Sequence, residues 1–194
     1  MPPDLASLER RARSLGLLLR LQVANRLGVR TLRVVVARPR PGQAALLLGE
    51  LRGWALPTPA GLQLDTLRVQ GPDTAAVAPL IWSATGAWGL EATPCRRARL
   101  LAIRDDERQH RRLVRYFQQL GFAPLREVGA AAADLPLRLV WGGAGLLMGG
   151  ELAEVLRRAS ARLPVEPPPG AVPDPRPEPP LDPLSDPPLD QQYR

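Results

Sequence analysis

Twelve of the chain's 23 prolines fall between residues 164 and 188. Proline has no backbone N–H and fixes φ near −65°, so a run this dense forms neither helix nor sheet. Its spacers are mostly Asp, Glu and Leu, too few apolar groups for a core. Residues 164–194 therefore read as an extended, disordered acidic arm. Such an arm is a solvated tether, a ligand for a proline-binding groove on a partner, or a mask over a basic surface. What folds is residues 1–163, the length of one domain of ~100–150 residues with appendages.

The folded part is basic. All 26 basic residues are Arg, and the arm takes two of them with six of the 19 acids, which leaves the body at +11. Exclusive use of Arg is partly a mark of genome composition. Even so, a body of that charge attracts anions: phosphate ligands, RNA, an acidic protein surface or anionic lipid. One Cys excludes an internal disulfide, and one Cys with one His cannot build a Cys/His zinc site; no metal is expected. The apolar run 15–23 is broken by Arg20 and is shorter than the ~20 residues of a membrane span. It also fits a signal peptide poorly, and a cytoplasmic location is expected.

Periodicity gives the elements. Asp4 with Leu5, Leu8, Ala12, Leu15 and Leu19 predicts an amphipathic helix over 4–27, with a break possible at Gly16 and a stop at Gly28. β-Branched and alternating runs predict strands at 31–38, 44–54 and 62–70, joined by Pro/Gly turns into an antiparallel meander. A helix over 79–92 starts with Pro79 at its first position, and a strand follows at 98–103. Asp106 with Gln109 has capping-box spacing for a helix whose stripe is Leu113, Val114, Phe117 and Leu120, ended by Gly121. Strands at 125–128 and 137–141 and a helix over 151–163 complete the chain. The fold class is α/β (α+β): a mixed, mostly antiparallel sheet flanked by helices. The units are an N-terminal helix (1–28), a central domain (29–148), a C-terminal helix (149–163) and the arm (164–194).

The stretch Leu100-Leu101-Ala102-Ile103, followed by Leu113-Val114-Arg115-Tyr116-Phe117-Gln118-Gln119-Leu120-Gly121-Phe122, resembles the second half of a GNAT N-acetyltransferase domain. The family has a strand, a helix, then an aromatic four residues before a Gly-Phe pair. Glu50 to Trp54 followed by Leu64 to Val69 is similar to its central hairpin, and the element order agrees over about residues 30–145. The resemblance implies transfer of an acyl group from acetyl-CoA or another acyl-CoA to an amine. It also implies strands that splay in a V beside residues 76–81.

In that family a loop Arg/Gln-x-x-Gly-x-Gly/Ala at a helix N-terminus offers backbone N–H groups to the cofactor's diphosphate. The matching positions here are Thr74, Val77 and Pro79, so the Arg and both Gly are absent. Pro79 removes a donor, Val77 adds a branched side chain, and Asp73 adds a negative charge. The remaining expected cofactor contacts are at Val77, Ala78, Leu80 and Ile81. The family's acid, a Tyr, is here Phe117; Tyr116 is adjacent, about 100° round the helix. Its loop Asn has no counterpart among Arg104, Asp105 and Asp106. Its base corresponds to Asp65, a carboxylate able to take an ammonium proton.

A second reading is a non-catalytic module of this fold. Arg104, Arg108, Arg111, Arg112 and Arg115 fall largely on one helical face, suited to an acidic protein or RNA, with the proline-rich arm as a further partner site. Aromatic residues are only 4%, which gives little platform for base stacking. Four further features each have two readings. His110 is a base or ligand, or a surface residue among arginines. Cys95 is a nucleophile lowered by Arg96 and Arg97, or a small buried residue. Trp82, Trp88 and Trp141 form a ligand pocket or pack a core. The Gly142-Gly143-Ala144-Gly145 run is an anion cradle or a turn after a strand.

Overall fold

The computed structural model describes residues 2–164, apart from 60, 72, 73 and 130. The arm from residue 165 onward, and Asp73, lie outside the described residues. The order is α1 (Leu5–Ser14), β1 (Leu18–Arg26), β2 (Val29–Arg40), β3 (Gln43–Ala55), β4 (Leu62–Val69), α2 (Val77–Ala92), β5 (Arg97–Ile103), α3 (Glu107–Gln119), β6 (Phe122–Val128), α4 (Leu135–Trp141), β7 (Gly145–Glu151) and α5 (Leu152–Ser160). The strands form one seven-stranded sheet in the order β1-β2-β3-β4-β5-β7-β6. Neighbours are antiparallel except β4 and β5, which run parallel.

The expected helix over 4–27 is half right. Asp4 caps α1 by accepting from the Ser7 N–H at 2.8 Å, but the helix ends at Ser14 and Gly16 turns the chain at φ +68°. Leu17 and Leu19 are buried and Arg20 exposed, so this Leu-rich run alternates with period two as well as it follows helical spacing. Pairing with β2 over the whole of β1 decides between them. Gly28, expected to stop a helix, instead shares a hairpin turn with Leu27; both have positive φ. The N-terminal unit is therefore part of the same sheet.

A second correction concerns residues 137–151. The segment expected as a strand is α4, closed by Gly142 at φ +76°, whose N–H reaches Arg138 O at 2.7 Å. The strand is β7, which follows a helix and contains Gly145, Gly149 and Gly150. Glycines weaken strand propensity, yet here they are required. A Cβ on Gly145 would lie 2.1 Å from the Ala102 carbonyl oxygen.

One face of the sheet carries α1, α2, α3 and α5. Their apolar residues form a single core with Leu19, Val34, Leu51, Leu100 and Met148. α2 is apolar on every side and buried from Leu80 to Gly89, the mark of a central helix. On the opposite face Val128, Trp141, Leu147 and Leu101 make a small second cluster. That face is otherwise open over β1–β4, where Gln22, Arg33, Arg52 and Asp65 stand.

Candidate active site

β4 and β5 pair over three positions only: Leu62 with Ala98, Gln63 with Arg99 and Leu64 with Leu100. β4 then runs on to Val69 and β5 to Ile103 with no ladder between them. The cause lies in β4. Arg52 pairs with Thr66 and Gly53 with Leu64, so Asp65 is an extra residue, a β-bulge. A bulge bends its strand and re-aims its side chain. The bend opens a V, and a cavity of about 40 Å³ sits in it, lined by Leu64, Asp65, Trp82, Leu101 and Phe117 among others.

Asp65 is exposed, with no hydrogen-bond or ion-pair partner among the described residues. It lines the V and also a groove of about 480 Å³ on the open face of the sheet. Across that groove Gln22 faces Arg33 and Arg33 faces Arg52 in direct register. Glu50 receives hydrogen bonds from Arg33 at 2.6 Å and from Arg52, and the Arg33 guanidinium foremost holds its carboxyl below the usual range. Asp65 is thus the unengaged carboxylate at the junction of groove and cleft.

At the start of α2, Val77, Leu80 and Ile81 turn their side chains into the core. Val77 lies directly on Gly49 of β3: a Cβ on Gly49 would come within 2.5 Å of Val77 Cγ1. The branched side chain expected to crowd a ligand is therefore turned inward. The Val77 N–H bonds Thr74 O at 2.9 Å and the Leu80 N–H bonds Ala76 O at 3.0 Å. Pro79 is the third helical residue rather than the first, still within the turn whose donors have no helical acceptor. Ala76 at the cap position supplies no side-chain bond. Ala78 and Pro79 are the half-buried residues left at this end.

An aromatic joint fixes α2 beside α3. Trp82 makes edge contacts with Phe117 (6.1 Å) and Phe122 (5.6 Å), and its Nε1–H donates to the Tyr116 hydroxyl at 2.8 Å. Burial raises the Tyr116 phenol above its ordinary pKa, so it holds its proton. Tyr116, set aside by helical angle from sequence, thus faces α2. The signal that could have found it is Trp82, a buried indole that needs an acceptor.

Arg104, Arg108, Arg111, Arg112 and Arg115 are all exposed, and four of the five line one groove. Arg108 and Arg112 line a groove of about 620 Å³ with Asp106, Gln109, Leu113 and Tyr116. Arg104, Arg108, Arg111 and Arg115 line another, with His110 and Leu146. Arg104 bonds both oxygens of Glu127, at 3.1 and 3.0 Å. The other four have no partner among the described residues.

His110 is buried rather than on the surface, with Nδ1 3.2 Å from the Ile103 carbonyl oxygen, which ties α3 to the end of β5. Cys95 is buried, with Sγ 3.4 Å from Leu56 O. Trp82 and Trp88 belong to the main core and Trp141 to the second cluster, so the three indoles share no pocket. The glycine run turns the chain after a helix, before β7. Among the described residues no three His, Cys, Asp or Glu side chains gather as a metal site, and no helix is long and apolar enough to cross a membrane.

No family model and no curated protein matches the chain. Among solved structures it is similar to an aminoglycoside 6'-acetyltransferase of type Ii, at 15% identity over 62% of this chain and 69% of that one, with a TM-score of 0.39. That likeness is one of loose element arrangement and carries nothing about substrate.

Proposed function

We propose that the chain is an acyl-CoA-dependent N-acyltransferase of GNAT-like architecture. The observation that carries this reading is the opening between β4 and β5 at the Asp65 bulge. Beyond Leu64, β4 lacks its β5 partner, and an open strand edge accepts an extended amide-bearing chain by strand addition. The pantetheine arm of an acyl-CoA is such a chain. It enters from the side of α2 and α3 and brings its thioester to the cavity beside Trp82 and Phe117.

The acceptor amine comes through the groove on the open face, past Asp65. Asp65 takes the ammonium proton, and the neutral amine attacks the thioester carbonyl. The C–N bond forms, the C–S bond breaks, and the CoA thiolate leaves. Phe117 cannot supply its proton. Tyr116, one residue earlier and kept protonated by burial, donates it directly or through water and regains the proton that the new amide nitrogen sheds. Acetyl-CoA titrated into the full chain by calorimetry gives saturable binding on this reading. No heat at millimolar ligand contradicts it.

A second reading, a non-catalytic binding module, draws on the unpaired arginines of α3. It predicts a partner, RNA or acidic protein, whose capture falls with salt and is lost in R108E/R111E/R115E. Capture unchanged by that variant removes it.

A further inference from the structure

The proline-rich arm repeats itself. Pro-Pro-Leu-Asp stands at 179–182 and again at 187–190, with Pro-Leu-Ser-Asp between them. Glu178, Asp182, Asp186 and Asp190 thus recur at every fourth position, and no Arg falls among them. We infer that segment 178–190 docks on the chain's own α3, in the groove rimmed by Arg104, Arg108, Arg111 and Arg115. The inference is independent of the acyl-CoA reading.

The groove has a volume of about 610 Å³. Four arginines against one acid, Glu107, make it positive, and Val114 and Leu146, both half-buried, make part of its lining apolar. Arg104 is held by Glu127, but Arg108, Arg111 and Arg115 are exposed with no partner among the described residues. Guanidinium groups brought together without counterions repel one another, and carboxylates relieve this through charge-assisted hydrogen bonds. An occupant of this groove therefore needs negative charge and apolar side chains in close alternation. Segment 178–190 has both, with Leu181, Leu184 and Leu189 set among its four acids. The other basic grooves fit it less well. The one beside Tyr116 has two arginines and Asp106. On the open face of the sheet, Arg33 and Arg52 are already bonded to Glu50, and Asp65 stands beside them.

The chain brings the segment within reach. α5 ends against the C-terminal end of α3, where Arg158 Nη1–H reaches Gln118 O at 3.3 Å and Arg162 Nη2–H reaches Gln119 O at 3.0 Å. From Gln119 back to Arg111 and Arg108 is about 12–17 Å along the helix. Residues 165–177 lie between the end of the described chain and Glu178. An extended chain covers up to ~3.3–3.6 Å per residue, so these span the distance with length to spare. A tether of this length holds the segment at about millimolar effective concentration, so contacts too weak to retain a free peptide are enough. A partner for the same arginines then has to displace the arm.

The test places a nitroxide spin label on Ser185→Cys in the full chain; Cys95 is buried, so the label goes to the arm. Amide signals of residues 104–115 lose most of their intensity to the label, while those of β1 keep theirs. High salt restores the α3 signals. Two variants restore them as well: R108E/R111E/R115E, at exposed positions and checked by a matched thermal melt, and E178Q/D182N/D186N/D190N, which leaves the described residues untouched. Equal loss over α3 and β1, loss centred on Arg10 and Arg11 instead, or loss unchanged in both variants overturns the inference. A labelled chain mixed with an isotope-labelled chain lacking the nitroxide gives no loss. Loss in that mixture assigns the groove to the arm of a second copy and likewise overturns it.

Discussion

α2 and α3 start from the ends of two neighbouring parallel strands, yet they are built in opposite ways. α2 begins at Ala76 with no side-chain cap and is buried along nearly its whole length. α3 begins at Asp106 with a capping bond, buries His110 and Phe117, and presents arginines to solvent. A helix surrounded by sheet and helices has its surface committed to packing, and side chains at its start follow suit, as Val77 does on Gly49. A helix at the margin of the core has surface left for charge. In this protein the helix that would offer backbone donors to an anion is the committed one. The exposed guanidinium groups lie on its neighbour.

The largest expected effect comes from cutting the joint between them. Trp82→Ala removes the indole that contacts Phe117, Phe122 and Tyr116, and costs about 3–5 kcal/mol by urea unfolding. A loss below about 1 kcal/mol means the two helices are not held together there. Next is the cleft they flank: Asp65→Asn lowers kcat for acyl transfer ~10²-fold or more with little change in melting temperature. Retained turnover places the base elsewhere.

The start of α2 is probed by Gly49→Ala, which drives a methyl group into Val77 and costs about 1–3 kcal/mol. Adding Val77→Ala restores much of that loss if the valine is turned inward; no rescue places it elsewhere. The start of α3 is probed by Asp106→Ala, worth about 1 kcal/mol for the lost cap. The smallest effect is at the far end of α3, where α5 holds it through Arg158, whose Nη1–H reaches Gln118 O at 3.3 Å. Arg157 first, then Arg158, hold the Glu154 carboxyl at about 2, below its ordinary 4.5. A depressed folded pKa means the contribution is present above about pH 4.5 and lost as pH falls toward 2. Glu154→Gln flattens the stability profile across that window, measured by denaturant midpoints at each pH. An unchanged slope rules out the pairing as its source.

Much of this was legible from spacing. The meander, the Asp106 cap and the Phe117 stripe depend on local pattern, and each strand or helix there has the period its burial requires. The failures share a physical cause. Leu15 to Val23 satisfies two periods, and only the neighbouring strand chooses between them. β7 is written in glycines that local propensity assigns to turns. They serve close approach to Ala102 and Leu125, which is invisible without the partner strands. In the candidate site, Asp65 was identified, but its position as a bulge depends on the register of β3. The arginines of α3 were identified as one face. Four of the five expected there do line one groove; Arg112 lies round the helix beside Tyr116, whose bond to Trp82 joins residues 34 apart in sequence.

Amide hydrogen exchange along residues 65–69 tests the central claim most directly, because these lie on β4 past its last pair with β5. Acetyl-CoA at saturation should slow exchange there as its arm takes the place of the missing strand, while β1 and β2 stay unchanged. Exchange in 65–69 that is the same with and without the thioester, or protection confined to other strands, contradicts a cofactor seated in the V.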